Sequence, residues 1–311
     1  MNLIELLKAA LYGVVEGITE WLPISSTGHM LLLDQFVKLD VSKDFWDMFL
    51  VVIQLGAILA VCVLFFHQLN PFSRSKTADE RKYTWGLWAK IIVACLPAAV
   101  IGIPLDDWME EHLGGPFVIA AALIVYGVIF IVIENVREHR ALEIAESGTR
   151  PTGPKHLSRP SVEDDASLAS LADAEAPVQD VDSIGWGTAI GIGLFQVLSM
   201  VPGTSRSGST IIGGLLLGCS RTAAAEFTFY LAVPVMVGAS GLRLVKYFIK
   251  GNVFSANETA ILLTGCVVAF VVSLLAIRFL MGFVKRHDFK PFGWYRILLG
   301  VAVIAYFALV A

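Results

Sequence analysis

Two short polar stretches hold the residues of this chain that could do chemistry. The first is Glu16-Gly17-Ile18-Thr19-Glu20-Trp21-Leu22-Pro23-Ile24-Ser25-Ser26-Thr27-Gly28-His29. Glu16 and Glu20 are four residues apart, so a helix puts them on one face. Two close, buried carboxylates repel, and either one takes up a proton or a cation sits between them. The ions that prefer oxygen ligands and pair carboxylates with substrate phosphate are Mg²⁺ and Ca²⁺, so Glu16 and Glu20 are the candidate metal ligands. Ser25, Ser26 and Thr27 can cap a helix start, and free N–H groups at a helix start also bind anions. His29 closes the stretch as a general acid/base or a nucleophile.

The second stretch is Pro202-Gly203-Thr204-Ser205-Arg206-Ser207-Gly208-Ser209-Thr210. Gly203 and Gly208 allow tight turns and close backbone approach. Arg206 presents a planar fork matched to phosphate oxygens, with Ser205, Ser207 and Thr210 as further polar contacts. Phosphoryl transfer is accelerated mainly by positioning and charge stabilisation, which is what these groups supply.

Apolar sequence surrounds both stretches. Hydrophobic residues make up 56% of the 311 and charged residues only 16%, with a mean hydropathy of +0.71. A soluble domain carries about 25% charged residues, so the composition is that of an integral membrane protein, and apolar runs of about 20 residues mean helices rather than barrel strands. A carboxylate at mid-bilayer costs about 2.5–3.5 kcal/mol on insertion scales, so Glu16 and Glu20 are expected to face a functional cavity. The four cysteines are scattered singly in apolar segments and read as packing residues. The N-terminus lacks a basic leader region and carries Glu5 early, so it does not read as a cleavable signal peptide.

Pro23 breaks the first apolar run, which predicts a re-entrant hairpin over 3–37. Spans follow at 45–66, 85–105 and 116–136, the first with Gln54 inside it as interhelical glue. Residues 137–183 are rich in Ser, Pro, Ala, Asp and Glu and read as a flexible cytoplasmic insertion. A second hairpin is predicted over 184–218, then spans at 224–247, 261–281 and 292–310. Arg243, Arg278 and Arg296 lie near span ends and are expected to snorkel.

A shift of 180 residues superposes the two stretches without gaps: Glu16 on Gln196, Thr19 on Ser199, Ser25 on Ser205, Thr27 on Ser207, Gly28 on Gly208, with Gly13 on Gly193 before them. The chain therefore divides into a first repeat over 1–136 and a second over 184–311. The loops that carry Lys and Arg, 67–84, 137–183 and 282–290, go to the cytoplasm, and 106–115, which has none, outside. One hairpin plus three spans inverts the second repeat, so both termini lie outside and the hairpins converge near the midplane. Lys246 and Lys250, on a connection placed outside, run against this scheme. The fold class expected is an all-α polytopic membrane protein with six transmembrane helices and two re-entrant hairpins.

With Ile53-Gln54-Leu55-Gly56-Ala57, these two stretches resemble the undecaprenyl-diphosphate phosphatase family of the bacitracin-resistance type. The resemblance runs over nearly the whole chain except 137–183, which is longer than that family's usual loop. It implies hydrolysis of undecaprenyl diphosphate to undecaprenyl phosphate and inorganic phosphate in the bacterial plasma membrane. That reaction recycles the lipid carrier for cell-wall polymers and gives bacitracin resistance. By position it implies a divalent metal held by Glu16 and Glu20, which could instead serve acid/base steps, and a nucleophile that is Ser26 or His29, with Ser26 favoured. Arg206 would clamp the diphosphate, with Ser25, Thr27, Gly203, Ser205, Ser207, Thr210 and Gln54 lining its site. The partners implied are a polyprenyl diphosphate lipid and the bilayer, with no nucleic acid; a homodimer is compatible with the sequence. The competing reading is a transporter or flippase of a lipid phosphate built on the same inverted repeat.

Overall fold

A computed structural model of the chain describes residues 2–147 and 165–310. The regular structure among the described residues is helical. In chain order the helices are α1 (Leu3–Thr19), α2 (Ser26–Phe36), α3 (Lys43–Leu64), α4 (Phe66–Leu69), α5 (Ala78–Leu113), α6 (Pro116–Ser147), α7 (Asp165–Ala174), α8 (Trp186–Leu198), α9 (Arg206–Leu216), α10 (Arg221–Ile249), α11 (Ala256–Val284) and α12 (Lys290–Val310). Six of them, α3, α5, α6, α10, α11 and α12, are long and apolar enough to cross a membrane. The protein is an all-α polytopic membrane protein.

The remaining apolar helices come in two pairs, α1–α2 and α8–α9. Helices α2 and α9 have 11 residues each, about 16 Å at 1.5 Å per residue, half of a bilayer's hydrocarbon thickness. Both begin in the same way. Ser25 and Ser205 have φ of 72°, the positive-φ non-glycine residues of the described chain. Each side-chain oxygen accepts the N–H three residues on, from Gly28 at 3.3 Å and Gly208 at 3.2 Å. A serine held at positive φ is strained, and such strain concentrates where a backbone turn serves a site.

Glycines let the helices touch backbone to backbone. Gly13 and Gly17 seat α1 on α11, where an added Cβ would lie 2.6 Å from the Gly265 carbonyl and 2.8 Å from that of Ala269. Gly193 seats α8 on Ala94 of α5, and Gly127 faces Gly293 between α6 and α12. Without a hydrophobic drive between helices in lipid, such small-residue contacts carry the packing. Trp21, fully buried, meets Phe229 of α10 edge-on at 5.4 Å. Outward positions such as Leu59, Val63, Val132, Leu263 and Val267 are exposed, as a lipid-facing surface requires.

Parts of the segment expected as a flexible insertion, 137–183, have regular structure where it is described. Residues 137–147 continue α6, and 165–174 form α7. Val178 exchanges backbone hydrogen bonds with Gly218 and Ser220, and Val181 and Ile184 are buried. Some of its charged residues are tied into the protein. Arg221, 1% exposed, is clamped by Glu134 at 2.6 and 2.8 Å, and Asp173 accepts from Arg137 at 3.0 Å and from the Arg221 backbone N–H at 2.9 Å. The part of the segment at 148–164 lies outside the described residues. The acidic connection expected at 106–115 is also helical, as far as Leu113.

Candidate active site

Helix α1 ends at Thr19, with Glu20 as its cap, because Pro23 has no N–H to continue the ladder. The chain then turns through Pro23 and Ile24 into the strained Ser25. This turn brings Glu20 back over the first residue of α2, and Ser26 Oγ donates to Glu20 Oε2 at 2.8 Å. The equivalent turn in the other half delivers Arg206, the first residue of α9, to the same carboxylate. Its Nη2 donates to Glu20 Oε1 at 2.9 Å. Ser207 Oγ donates to the Glu20 carbonyl at 3.0 Å and lies 3.1 Å from Ser205 Oγ. One carboxylate thus joins a hydroxyl from the first polar stretch to the guanidinium of the second, across 186 residues of chain.

Beside this contact is a cavity of about 900 Å³. Glu16, Ser26, Thr27, Gln54, Gln196 and Cys95 are among its lining residues, with Asp34 and Arg243 also on its wall. Two lining residues carry buried polar atoms without a partner, Glu16 at Oε1 and Gln196 at both amide atoms, and Nη1 of Arg206, whose Nη2 holds Glu20, is unpaired as well. Buried polar groups are ordinarily paired, so this concentration of open donors and acceptors is the signature of a site for a polar ligand. Around it the wall is largely apolar, with Met30, Leu31, Leu50 and Met200.

The other expected residues are arranged around this centre. Ser25 caps α2 and is buried. Gly203, at φ +93°, lies against the Ile119 backbone, where a Cβ would sit 2.6 Å from its carbonyl oxygen. Thr210 donates to the Arg206 carbonyl at 2.9 Å and accepts from Thr228 at 2.9 Å, so its hydroxyl is engaged inside the protein. His29 is turned elsewhere: Nδ1 meets the Ser25 carbonyl at 2.7 Å, and Nε2 meets the Tyr295 hydroxyl at 2.7 Å. The carbonyl can only accept, so Nδ1 carries the proton and Nε2 accepts from Tyr295.

Arg296 overturns its sequence reading. It is fully buried, not snorkelling. Its guanidinium donates to the Pro23 carbonyl at 3.1 Å, to Gly203 at 3.0 Å, to Thr204 at 2.9 Å and, more loosely, to Leu123 at 3.4 Å. It therefore ties both turns together through their backbones. Arg296 is the seventh residue of α12, about 9 Å in from its start, and that depth was the signal in the sequence.

The donor set also bears on a metal. Both carboxylate oxygens of Glu20 are engaged, whereas Glu16 keeps one open. Among the described residues no three His, Cys, Asp or Glu side chains gather as a cage. One or two carboxylates with the rest of the shell from substrate and water is the pattern of Mg²⁺, so the residues present fit such an ion.

The sequence matches the model of the family described as bacitracin resistance protein BacA over residues 9–302. An undecaprenyl-diphosphatase of Streptococcus thermophilus is 52% identical over 304 residues, 98% of this chain and 94% of that protein. One from Limosilactobacillus fermentum is 50% identical over 309 residues, 99% of this chain and 100% of the other. One from Enterococcus faecalis is 49% identical over 299 residues, 96% of each. These alignments take in most of 137–183 as well, so the long segment is shared with these relatives. On the match that runs from α1 to α12, the chain belongs to the BacA bacitracin resistance family.

Proposed function

We propose that the chain hydrolyses undecaprenyl diphosphate to undecaprenyl phosphate and inorganic phosphate within the membrane. The observation that carries this reading is Glu20, bonded at once to the Ser26 hydroxyl and the Arg206 guanidinium beside a cavity with open polar atoms. The lipid tail occupies the apolar part of the cavity and the diphosphate its polar end. Such a reaction recycles the carrier for cell-wall polymers, and sequestration of its substrate by bacitracin explains the resistance.

Ser26 is the nucleophile in this reading. Its Oγ forms a bond to the terminal phosphorus as the bond from that phosphorus to the bridging oxygen breaks. The Ser26 proton passes to Glu20 and on to the departing undecaprenyl phosphate, which leaves Glu20 ionised again. Water then attacks the phosphoserine, gives a proton to Glu20, and releases inorganic phosphate as Ser26 regains its proton. Arg206 holds the transferring group, with Nη1 the free donor for a phosphate oxygen. His29, bonded through both ring nitrogens, holds the Ser25 turn rather than attacking phosphorus. Of the two carboxylates, Glu16, whose Oε1 is unpaired, would hold a divalent metal while Glu20 stays with Ser26 and Arg206; when bound, the metal would neutralise charge on the diphosphate.

The pairs α1–α2 and α8–α9 are re-entrant hairpins of an inverted repeat in this reading. It leaves both termini outside and 137–183 in the cytoplasm. The half-bilayer length of α2 and α9 and their matching strained caps support it.

The test is phosphate release from undecaprenyl diphosphate by detergent-solubilised protein, where no second compartment exists and transport gives no signal. Glu20→Ala and Arg206→Ala should each lower kcat about 10²- to 10³-fold. Near-normal turnover by either folded variant rejects the assignment.

A further inference from the structure

The mechanism above leaves one buried polar side chain of the cavity wall unused. Gln196, in α8, is 1% exposed and lines the cavity that Glu16 and Ser26 line. Neither atom of its amide has a hydrogen-bond partner within the protein. A buried amide left unpaired on both sides is a steady cost to the fold, and native proteins carry few of them. It is also the residue that a shift of 180 places on Glu16, whose Oε1 is open in the same cavity.

The geometry points to Gln196 as a direct ligand of the substrate: its amide N–H₂ donates to an oxygen of the diphosphate. This rests on the phosphatase reading and adds a binding residue from the second repeat. The reason lies in charge. Glu16 and Glu20 already bring two carboxylates to a site that takes a polyanion. The cation shown bonded among them is Arg206, which gives one of its terminal nitrogens to Glu20. A glutamate at 196 would add a third negative charge facing the diphosphate. A glutamine of the same length adds a donor and no charge. The repeat is thus broken in charge at this pair: the acid of the first half serves cation or proton, and the amide of the second half serves the anion. The backbone supports the aim of the side chain. Gly193, one turn earlier, is seated on Ala94, and Ser199 Oγ donates to the Gln196 carbonyl at 2.6 Å, which fixes the last turn of α8.

The experiment compares wild type with Gln196→Met, an apolar side chain of similar length, and Gln196→Asn, an amide withdrawn by one methylene. Melting temperature in detergent is read with and without inorganic pyrophosphate, each with and without Mg²⁺, alongside kcat/KM for undecaprenyl diphosphate. For Gln196→Met the unliganded melting temperature should equal or exceed that of wild type, because an unpaired buried amide has been removed. The stabilisation by pyrophosphate should shrink or vanish, and kcat/KM should fall about 10- to 100-fold, mainly through KM. Gln196→Asn should show the same loss. A melting temperature lowered in the unliganded Met variant overturns the proposal, since the amide would then be serving the fold. So does a pyrophosphate shift retained in both variants with kcat/KM within twofold of wild type. So does a stabilisation by Mg²⁺ alone that wild type shows and Gln196→Met loses, which would give the amide to the cation. Wild type that binds pyrophosphate through Gln196 and yet releases no phosphate from the lipid would sink the phosphatase reading and leave the anion ligand standing.

Discussion

Ser25 shows how much one residue is asked to do. It holds a backbone conformation that L-residues avoid, caps α2 with its hydroxyl, and offers its carbonyl to His29. Glycine relieves the strain but removes the cap, and the two effects oppose each other. Ser25→Gly should therefore melt within a few degrees of wild type, whereas Ser25→Ala, which keeps the strain and loses the cap, should lose about 1–2 kcal/mol. Thermal melts of both proteins in one detergent check the ordering. At Ser26 the stakes are chemical. Ser26→Ala removes the proposed nucleophile and the hydrogen bond to Glu20, and should bring phosphate release to background while the fold stays intact, as circular dichroism would report.

Among elements, the decisive fact is that α12 holds the two turns together. Arg296 reaches from that helix to the carbonyls of Pro23, Gly203 and Thr204. Arg296→Met leaves those acceptors buried and unpaired at about 1–3 kcal/mol each. The variant should melt well below wild type and lose kcat more than it raises KM, since Glu20 and Arg206 drift apart while the apolar wall remains. Arg296→Lys, with one point charge in place of a fork, should recover only part of both. Gly13 tests the packing of α1 on α11. A leucine there meets the Gly265 carbonyl and must push the helices apart, so Gly13→Leu should destabilise the protein by more than the same change at Gly86, which has open space around it. Comparing the two melting temperatures decides it.

At the scale of the whole molecule, the Glu134–Arg221 pair ties α6 to the start of α10, with Asp173 of α7 on the same guanidinium at 3.5 Å. Removing one partner of a buried pair is costly, about 3–5 kcal/mol, because the other is left charged in a low dielectric; replacing both by apolar residues is far milder. Glu134→Leu should therefore destabilise strongly, and the double variant Glu134→Leu with Arg221→Met should regain much of the loss. The single change should also loosen α7, giving faster hydrogen exchange over 165–183 than in wild type. Exchange unchanged there would show that the apolar contacts of Val181 and Ile184 hold the segment by themselves.

What the sequence determined was set by local chemistry. Long apolar runs place the six crossing helices, because a bilayer demands that length and composition. Pro23 and the hydroxyl cluster stop α1 and start α2. The spacing of Glu16 and Glu20, and Arg206 among small residues, pointed to phosphate chemistry. Tertiary structure decided what depends on partners far along the chain. The repeat predicted that the two stretches would converge, but no spacing rule could say that Glu20 rather than Glu16 would bond Arg206, that His29 would be held by Tyr295, or that Arg296 would turn inward to collect carbonyls from both turns. The composition of 137–183 suits water, yet Asp173 within it meets Arg137, 36 residues earlier, and Arg221 beyond the segment. A polar side chain in an apolar chain is placed by its partner, and partners are chosen only when the helices pack.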